Sequence, residues 1–169
     1  MADQYPNRTN RALSFARIQL KQLEQVRQTE GWSQDLEVEA LETAILFHLS
    51  VALHAYRREI AERYTLPTEG VETLQDLIDA QTKQGQTTSE VTEFQVLSES
   101  TNSWLAQIEQ RYLSCWGGTP KAKNRGSASE INLVQIEPGR VEINELSLAT
   151  LYSELYSLIS RQRAAMQEW

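Results

Sequence analysis

The two histidines, His48 and His54, are the residues with the most versatile chemistry, because imidazole can bind a metal or exchange a proton near neutral pH. They lie six residues apart in the run AILFHLSVALHA at residues 44–55. Six residues turn a helix by about 600°, so the two rings point to different faces. A di-iron bundle needs glutamate three residues before each histidine, and Ile45 and Val51 occupy those positions. We therefore predict no metal site, and interpret both histidines as partly buried rings with hydrogen-bond partners.

Arg57 and Arg58 follow the second histidine and could hold an anion in a pocket between helices. Glu59 and Glu62 lie close enough on the same helix to pair with them, and exposed pairs of this kind contribute little stability. Surface ion pairs are the preferred interpretation, and a ligand pocket is the alternative. The candidate ligand-binding residues are His48, His54, Arg57 and Arg58.

Cys115 is the single cysteine of the sequence and a candidate nucleophile. The residues beside it, Ser114 and Trp116, include no base, and a position near the end of a helix does not favour the thiolate. We therefore interpret Cys115 as an inert thiol. Because one thiol cannot form an internal disulfide, we expect a reducing compartment.

A basic cluster of Lys121, Lys123 and Arg125 lies within residues 117–130, a stretch rich in Gly, Pro, Ser and Lys. The cluster could contact phosphate or an acidic partner, but it contains no aromatic side chain that could stack on a base. The chain as a whole has a net charge of −7, whereas nucleic acids bind basic surfaces. We expect a solvated loop here and no nucleic-acid binding.

Trp169 is the last residue of the sequence. Burial of an indole is favourable, so we expect it to pack against the bundle or at an interface with a partner subunit. The motifs G-x-G-x-x-G, G-x-x-x-x-G-K-[ST], H-E-x-x-H and C-x-x-C are absent from the sequence. Their absence favours a protein that is not an enzyme, and it indicates neither a cofactor nor a catalytic residue.

Helices must position all of these residues. A helix that is apolar on nearly every face, as residues 44–55 would be, is expected to be surrounded by other elements. With 7 Gly and 4 Pro in 169 residues, the chain is poor in residues that end helices. Hydrophobic residues make up 40% of the chain and charged residues 23%, which is typical of one globular domain over residues 1–169.

Apolar periodicity predicts five helices. They cover approximately residues 8–29, 34–64, 71–83, 88 to 112 or 115, and 146–169. Pro6 and Asn7 precede the first, Ser33 caps the second, and Thr87 with Glu90 forms a capping box before the fourth. Residues 131–143 are compatible with a short hairpin or with an extended segment over the bundle. We predict an all-α, up-and-down bundle of four main helices plus one short helix, with a long loop before the last helix.

The start of the sequence lacks the apolar stretch of a signal peptide. Residues 44–55 provide only about half of the ~20 apolar residues that cross a bilayer as a helix. We therefore expect a cytoplasmic protein without a membrane span.

Three segments, NRTNRALSFARIQL at 7–20, ETAILFHLSVALHAYRREIAERY at 42–64 and ISRQRAAMQEW at 159–169, resemble an uncharacterised family of small helical proteins from gammaproteobacteria. That family is described only as a domain of unknown function. The resemblance implies a bacterial, cytoplasmic, helical protein, and it assigns no catalytic residue.

A weaker similarity is to helical bundles of the HEPN type, many of which are RNases with an arginine four to six residues before a histidine. No arginine occupies those positions before His48, where residues 42–44 are Glu, Thr and Ala, or before His54, where residues 48–50 are His, Leu and Ser. The nuclease activity of that family is therefore not implied for this chain.

Two functions remain open. The first is a non-enzymatic interaction protein that forms a homodimer or binds an unidentified protein, because helical bundles associate through apolar faces. The second is a bundle that binds a small ligand or nucleotide in a pocket between helices. A HEPN-like nuclease is the remote alternative.

Overall fold

The computed structural model describes residues 4–29, 31–117 and 145–167. All regular secondary structure in those ranges is helical, which confirms the predicted all-α bundle. The helices are α1 (Gln4–Gln28), α2 (Gln34–Arg63), α3 (Leu74–Lys83), α4 (Ser89–Glu99), α5 (Trp104–Ser114) and α6 (Leu148–Gln167). Three features of the sequence lie outside the described residues. They are the segment 131–143, for which a hairpin or an extended segment was expected, the residue Trp169, and the cluster of Lys121, Lys123 and Arg125.

The two longest helices, α1 and α2, pack side by side as an antiparallel hairpin. Near the turn the side chain of Arg27 contacts Glu42, and at the open end Thr9 contacts Glu59. The first helix begins earlier than predicted, at Gln4, and includes Pro6. Proline is tolerated there because backbone N–H groups in the first turn have no partner within the helix.

The second helix forms the centre of the core. It packs against α1, α5 and α6, and contacts α3 near its end. Side chains from all of these helices and from α4 fill the interior. The largest buried side chains are Tyr56, Phe94, Ile45, Leu49, Leu53, Ile60, Leu77, Leu105, Ile108, Leu151, Leu155 and Ile159. Among the described helices, none is both long and apolar enough to cross a membrane.

The prediction of one continuous helix from residue 88 to 112 or 115 was wrong. The chain leaves the helix at Ser100 and starts a new one after Ser103. The Ser103 hydroxyl accepts from the N–H of Ala106 at 3.0 Å and donates to the carbonyl of Leu97 at 2.6 Å. A serine hydroxyl can bond to nearby backbone groups in place of the bonds of a continuous helix. The Ser103 hydroxyl therefore bonds to the end of α4 and caps the start of α5.

The capping box lies before α3 rather than before α4. Thr73 accepts from the N–H of Asp76, and the Asp76 carboxylate accepts from the N–H of Thr73. These reciprocal bonds satisfy two donors of the first turn. The N-cap of α4 is Thr88, whose side chain makes no capping bond, so the box predicted at Thr87 and Glu90 does not form.

Candidate functional site

A cleft of about 580 Å³ opens between α2, α3, α4 and α5, and it is large enough for a small ligand. Two of the candidate ligand-binding residues, His54 and Arg57, line it. We call it the Arg57 cleft. Its apolar wall consists of Leu53, Leu74, Ile78 and Leu113, and its acidic residues are Glu72, Glu99 and Glu109.

Arg57 is a buried charge and not part of a surface ion pair, so the preferred interpretation of the sequence was wrong for this residue. It is only 4% exposed. One of its terminal nitrogens, Nη2, donates to Oε1 of Glu109 on α5. Its Nε atom is buried and has no partner within the described residues. The guanidinium therefore has donor capacity left over inside the cleft.

A smaller depression of about 280 Å³ adjoins the cleft at His54 and is lined by Arg8 and Arg58. One of the hydrogen-bond donors of Arg58 is already used, because its Nε donates to the carbonyl of Val71 at 3.0 Å. The residues shared by the cleft and the depression are Ser50, His54, Glu72 and Tyr112. The structure thus brings three of the four candidate residues, His54, Arg57 and Arg58, to one region.

His48 lies elsewhere, as the six-residue spacing predicted. Its half-buried ring sits between two aromatic rings, with centroids 5.2 Å from Phe15 and 5.3 Å from Phe47. Within the described part of the chain, neither His48 nor His54 has the hydrogen-bond partner that we expected. For His48, contacts with the rings of Phe15 and Phe47 replace the expected hydrogen bond.

The pKa of each histidine is lowered from its ordinary value. Loss of hydration is the main cause for both rings, and the charges of Arg57 and Arg58 lower the pKa of His54 further, against smaller opposing effects of Glu109 and Glu72. Both imidazoles are therefore neutral at pH 7.

We predict that an NMR titration will give pKa values below 6.5 for both histidines. Replacing Arg58 with glutamine should raise the pKa of His54, because it removes one of the cationic charges that disfavour the imidazolium. His48 is the internal control, and its pKa should not change. Equal shifts at both rings, or none at His54, would contradict this description of the cleft.

A partly buried ion pair that the sequence reading missed connects α2 to α6. Arg163 donates through Nε and Nη2 to the two carboxylate oxygens of Glu59, at 2.6 and 2.7 Å. Thr9 shares its hydroxyl hydrogen between the carbonyl of Tyr5, at 3.0 Å, and the same carboxylate, at 3.3 Å. Arg163 also donates through Nη1 to Asn10 at 2.7 Å. Glu59 was expected to pair with a neighbouring arginine, but its partner lies 104 residues away.

A second polar group lies beside this pair. The phenol of Tyr56 donates to Gln162 at 2.9 Å, and Gln162 donates to Glu93 at 2.9 Å. Arg161 also donates to Glu93 and holds the pKa of that carboxyl below its usual range. Burial raises the pKa of Tyr56, so its hydroxyl stays protonated and acts as a donor. These contacts hold α4 and α6 against α2.

The third feature is an apolar surface on the α1–α2 hairpin. Leu36 and Phe47 are exposed on α2. They lie eleven residues apart, which is about three helical turns, so they share one face of the helix. Phe15 joins Phe47 through the intervening ring of His48. We call this surface the hairpin stripe. Its members are Phe15, Ile18, Trp32, Leu36 and Phe47.

The expectation that other elements surround the apolar run of residues 44–55 fails at Phe47, although it holds for buried residues such as Leu49 and Leu53. Leu36 is 70% exposed, Phe47 is 46% exposed, and Trp32 in the turn is fully exposed. No described residue between Leu23 and Ile45 is buried. Among the described residues, the tip of the hairpin therefore has two helices and no third layer over them.

Cys115 is exposed just after α5, and its Sγ–H donates to the carbonyl of Arg111 at 3.3 Å. Within the described ranges, no group of three or more His, Cys, Asp or Glu side chains is arranged to hold a metal ion.

A family model, described as a family of unknown function (DUF6586), matches residues 1–169. Neither a curated protein nor a solved structure matches the chain.

Proposed function

The chain belongs to DUF6586, a family of unknown function, and we propose that it acts as a non-enzymatic interaction protein that pairs with a second copy of itself. The single observation that carries this proposal is the hairpin stripe, an exposed apolar surface along the α1–α2 hairpin. Two such hairpins, packed face to face, would form a four-helix arrangement that covers the stripe of each copy.

The size of the stripe supports a dimer. Aromatic side chains bury about 150–250 Å² each, so the five exposed side chains present roughly 600 Å² of apolar surface per copy. That is at the upper end of about 300–600 Å² for the largest apolar patch of a typical monomer. A standard interface buries about 800 Å² per partner, and the polar rim of the hairpin can supply the rest.

The charges of the two helices also fit a symmetric pair. Helix α1 carries five Lys or Arg residues and one Glu. The first fourteen residues of α2 carry four acidic residues and no Lys or Arg. In a two-fold dimer, α1 of one copy can lie against α2 of the other, so basic residues face acidic ones. The charges of α1 and of the first fourteen residues of α2 cancel, so the two facing segments are together neutral.

The experiment is sedimentation equilibrium of the purified chain over a wide concentration range. We expect the average mass to rise from the monomer mass of 19.3 kDa towards twice that value. The dissociation constant should be on the order of tens of micromolar, because the surface is at the lower end of the standard interface size. A constant monomer mass at millimolar concentration would contradict the proposal.

A cytoplasmic setting accords with the single cysteine, which is exposed, because free thiols persist in reducing compartments. The alternative of a bundle that binds a small ligand concerns the Arg57 cleft, on another part of the molecule, and does not depend on self-association. The nuclease alternative has no observation in its favour.

A further inference from the structure

We propose that the Arg57 cleft binds a small zwitterion, whose carboxylate or phosphate pairs with Arg57 and whose amine faces Glu72 and Glu99. The site is built around a charge that cannot leave the interior. Arg57 is 4% exposed and lines the cleft, and its buried Nε has no hydrogen-bond partner within the described residues. A buried guanidinium with unused donors favours a ligand that can accept from them.

Arg163 in the same chain is an example of an arginine that binds a carboxylate through two nitrogens. Arg163 uses Nε and Nη2 together to bind both oxygens of Glu59, at 2.6 and 2.7 Å. Among the described residues, Arg57 donates to one oxygen of Glu109 through Nη2, and its Nε has no partner. An oxyanion that approached from the cleft could take both nitrogens side by side, as Glu59 does with Arg163.

Glu109 is the partner that such a ligand would displace. Its side chain is 42% exposed, whereas the side chain of Arg57 is 5% exposed. The carboxylate of Glu109 can therefore turn into water at little cost, while Arg57 must stay in place. We interpret Glu109 as an exchangeable partner that occupies half of the site when no ligand is bound.

The remaining charges indicate that the ligand is not a simple anion. Besides Arg57, the cleft has three carboxylates, Glu72, Glu99 and Glu109, and its histidine, His54, has a lowered pKa. A group with only negative charge would be repelled by this excess of acid. An amine on the same molecule would pair with the acidic side, and an aliphatic body would contact Leu74 and Ile78.

The test is a calorimetric titration of the full chain with four probes, together with the NMR signal of the Arg57 Nε–H. Leucine carries an aliphatic body with both charges, isocaproate has the carboxylate alone, and isoamylamine has the amine alone. Phosphoethanolamine replaces the carboxylate with phosphate. We expect leucine or phosphoethanolamine to bind and to shift the Nε–H signal, and the stronger of the two identifies the oxyanion. The singly charged probes should bind at least about tenfold more weakly.

Two variants locate the binding. Glu109→Gln should tighten binding about three- to tenfold, because it removes the competing carboxylate. Arg57→Lys should weaken it at least about tenfold, because lysine lacks the side-by-side donors. Arg27→Lys, which lies outside the cleft and pairs with Glu42, is the matched control and should have no effect. The proposal is overturned if no probe binds wild type or Glu109→Gln, if isocaproate binds as tightly as leucine, or if the Glu109 variant binds no more tightly than wild type.

Discussion

Replacing Arg163 with alanine is expected to lower the free energy of unfolding by about 3 kcal/mol, the lower end of the range for breaking a buried pair. The side chain of Glu59 is 10% exposed, so without Arg163 its largely buried carboxylate would lose its two shortest hydrogen bonds. Thr9 would be its one remaining side-chain donor within the described residues. Urea denaturation, followed by circular dichroism, measures the effect, and the melting temperature should fall by roughly 6–12 °C.

The matched control is Arg27→Ala. Arg27 contacts Glu42 at 2.6 Å, the same length as the shorter contact between Arg163 and Glu59, but the two side chains are 56% and 34% exposed. Because water can replace the lost partner there, the cost should be below about 1 kcal/mol. If both variants lost the same stability, burial would not be what makes the Arg163 pair important. A double-mutant cycle with Glu59→Gln gives the coupling energy directly.

Replacing Phe47 with glutamate is expected to weaken self-association by about 100-fold or more, since it places an unpaired charge in the centre of the proposed interface. The side chain is 46% exposed in the monomer, so the folded chain should tolerate the change. Sedimentation velocity at several concentrations measures association, and circular dichroism at low concentration confirms that the variant is folded.

Val96→Glu provides the comparison for this prediction. Val96 lies on α4, outside the hairpin stripe, and is 63% exposed. The substitution adds the same charge to the protein and removes an exposed apolar side chain of similar kind, so it should leave association unchanged. Equal loss in the two variants would indicate that net charge, rather than the stripe, controls association.

Much of the fold could be predicted because helices leave a local signal. The spacing of apolar residues located α1, α2 and α6 to within a few residues, and the scarcity of Gly and Pro excluded a turn-rich fold. The break between α4 and α5 was missed because Leu97, Thr101 and Trp104 continue the apolar spacing across it. A serine that caps is distinguished from one inside a helix only by the bonds it makes, such as those of Ser103.

The candidate site was only partly predictable, because its partners are distant in sequence. His54, Arg57 and Arg58 could be grouped from their positions on one helix, but the partners that decide their roles lie on other elements. Arg57 pairs with a residue 52 positions away, and Glu59 with one 104 positions away. A local search for i,i+4 partners therefore assigned both residues to surface pairs.

The hairpin stripe shows why an apolar helix does not by itself establish burial. The pattern around residues 44–55 was interpreted as a helix covered on all sides, which holds for Leu49 and Leu53 but not for Phe47. The number of neighbouring helices limits how many faces can be covered. Of the described helices, none covers the face of α2 that carries Phe47, so that face remains exposed.

The measurement that tests the central claim most directly is a dilution series of the unmodified chain, followed by NMR. The indole N–H of Trp32 and the amides of Leu36 and Phe47 should shift together with concentration, along one binding curve, while Val96 should not shift. This result would locate self-association at the hairpin stripe without any substitution. Signals that stay constant from micromolar to millimolar concentration, or shifts confined to residues outside the stripe such as Leu113 and Trp116, would contradict it.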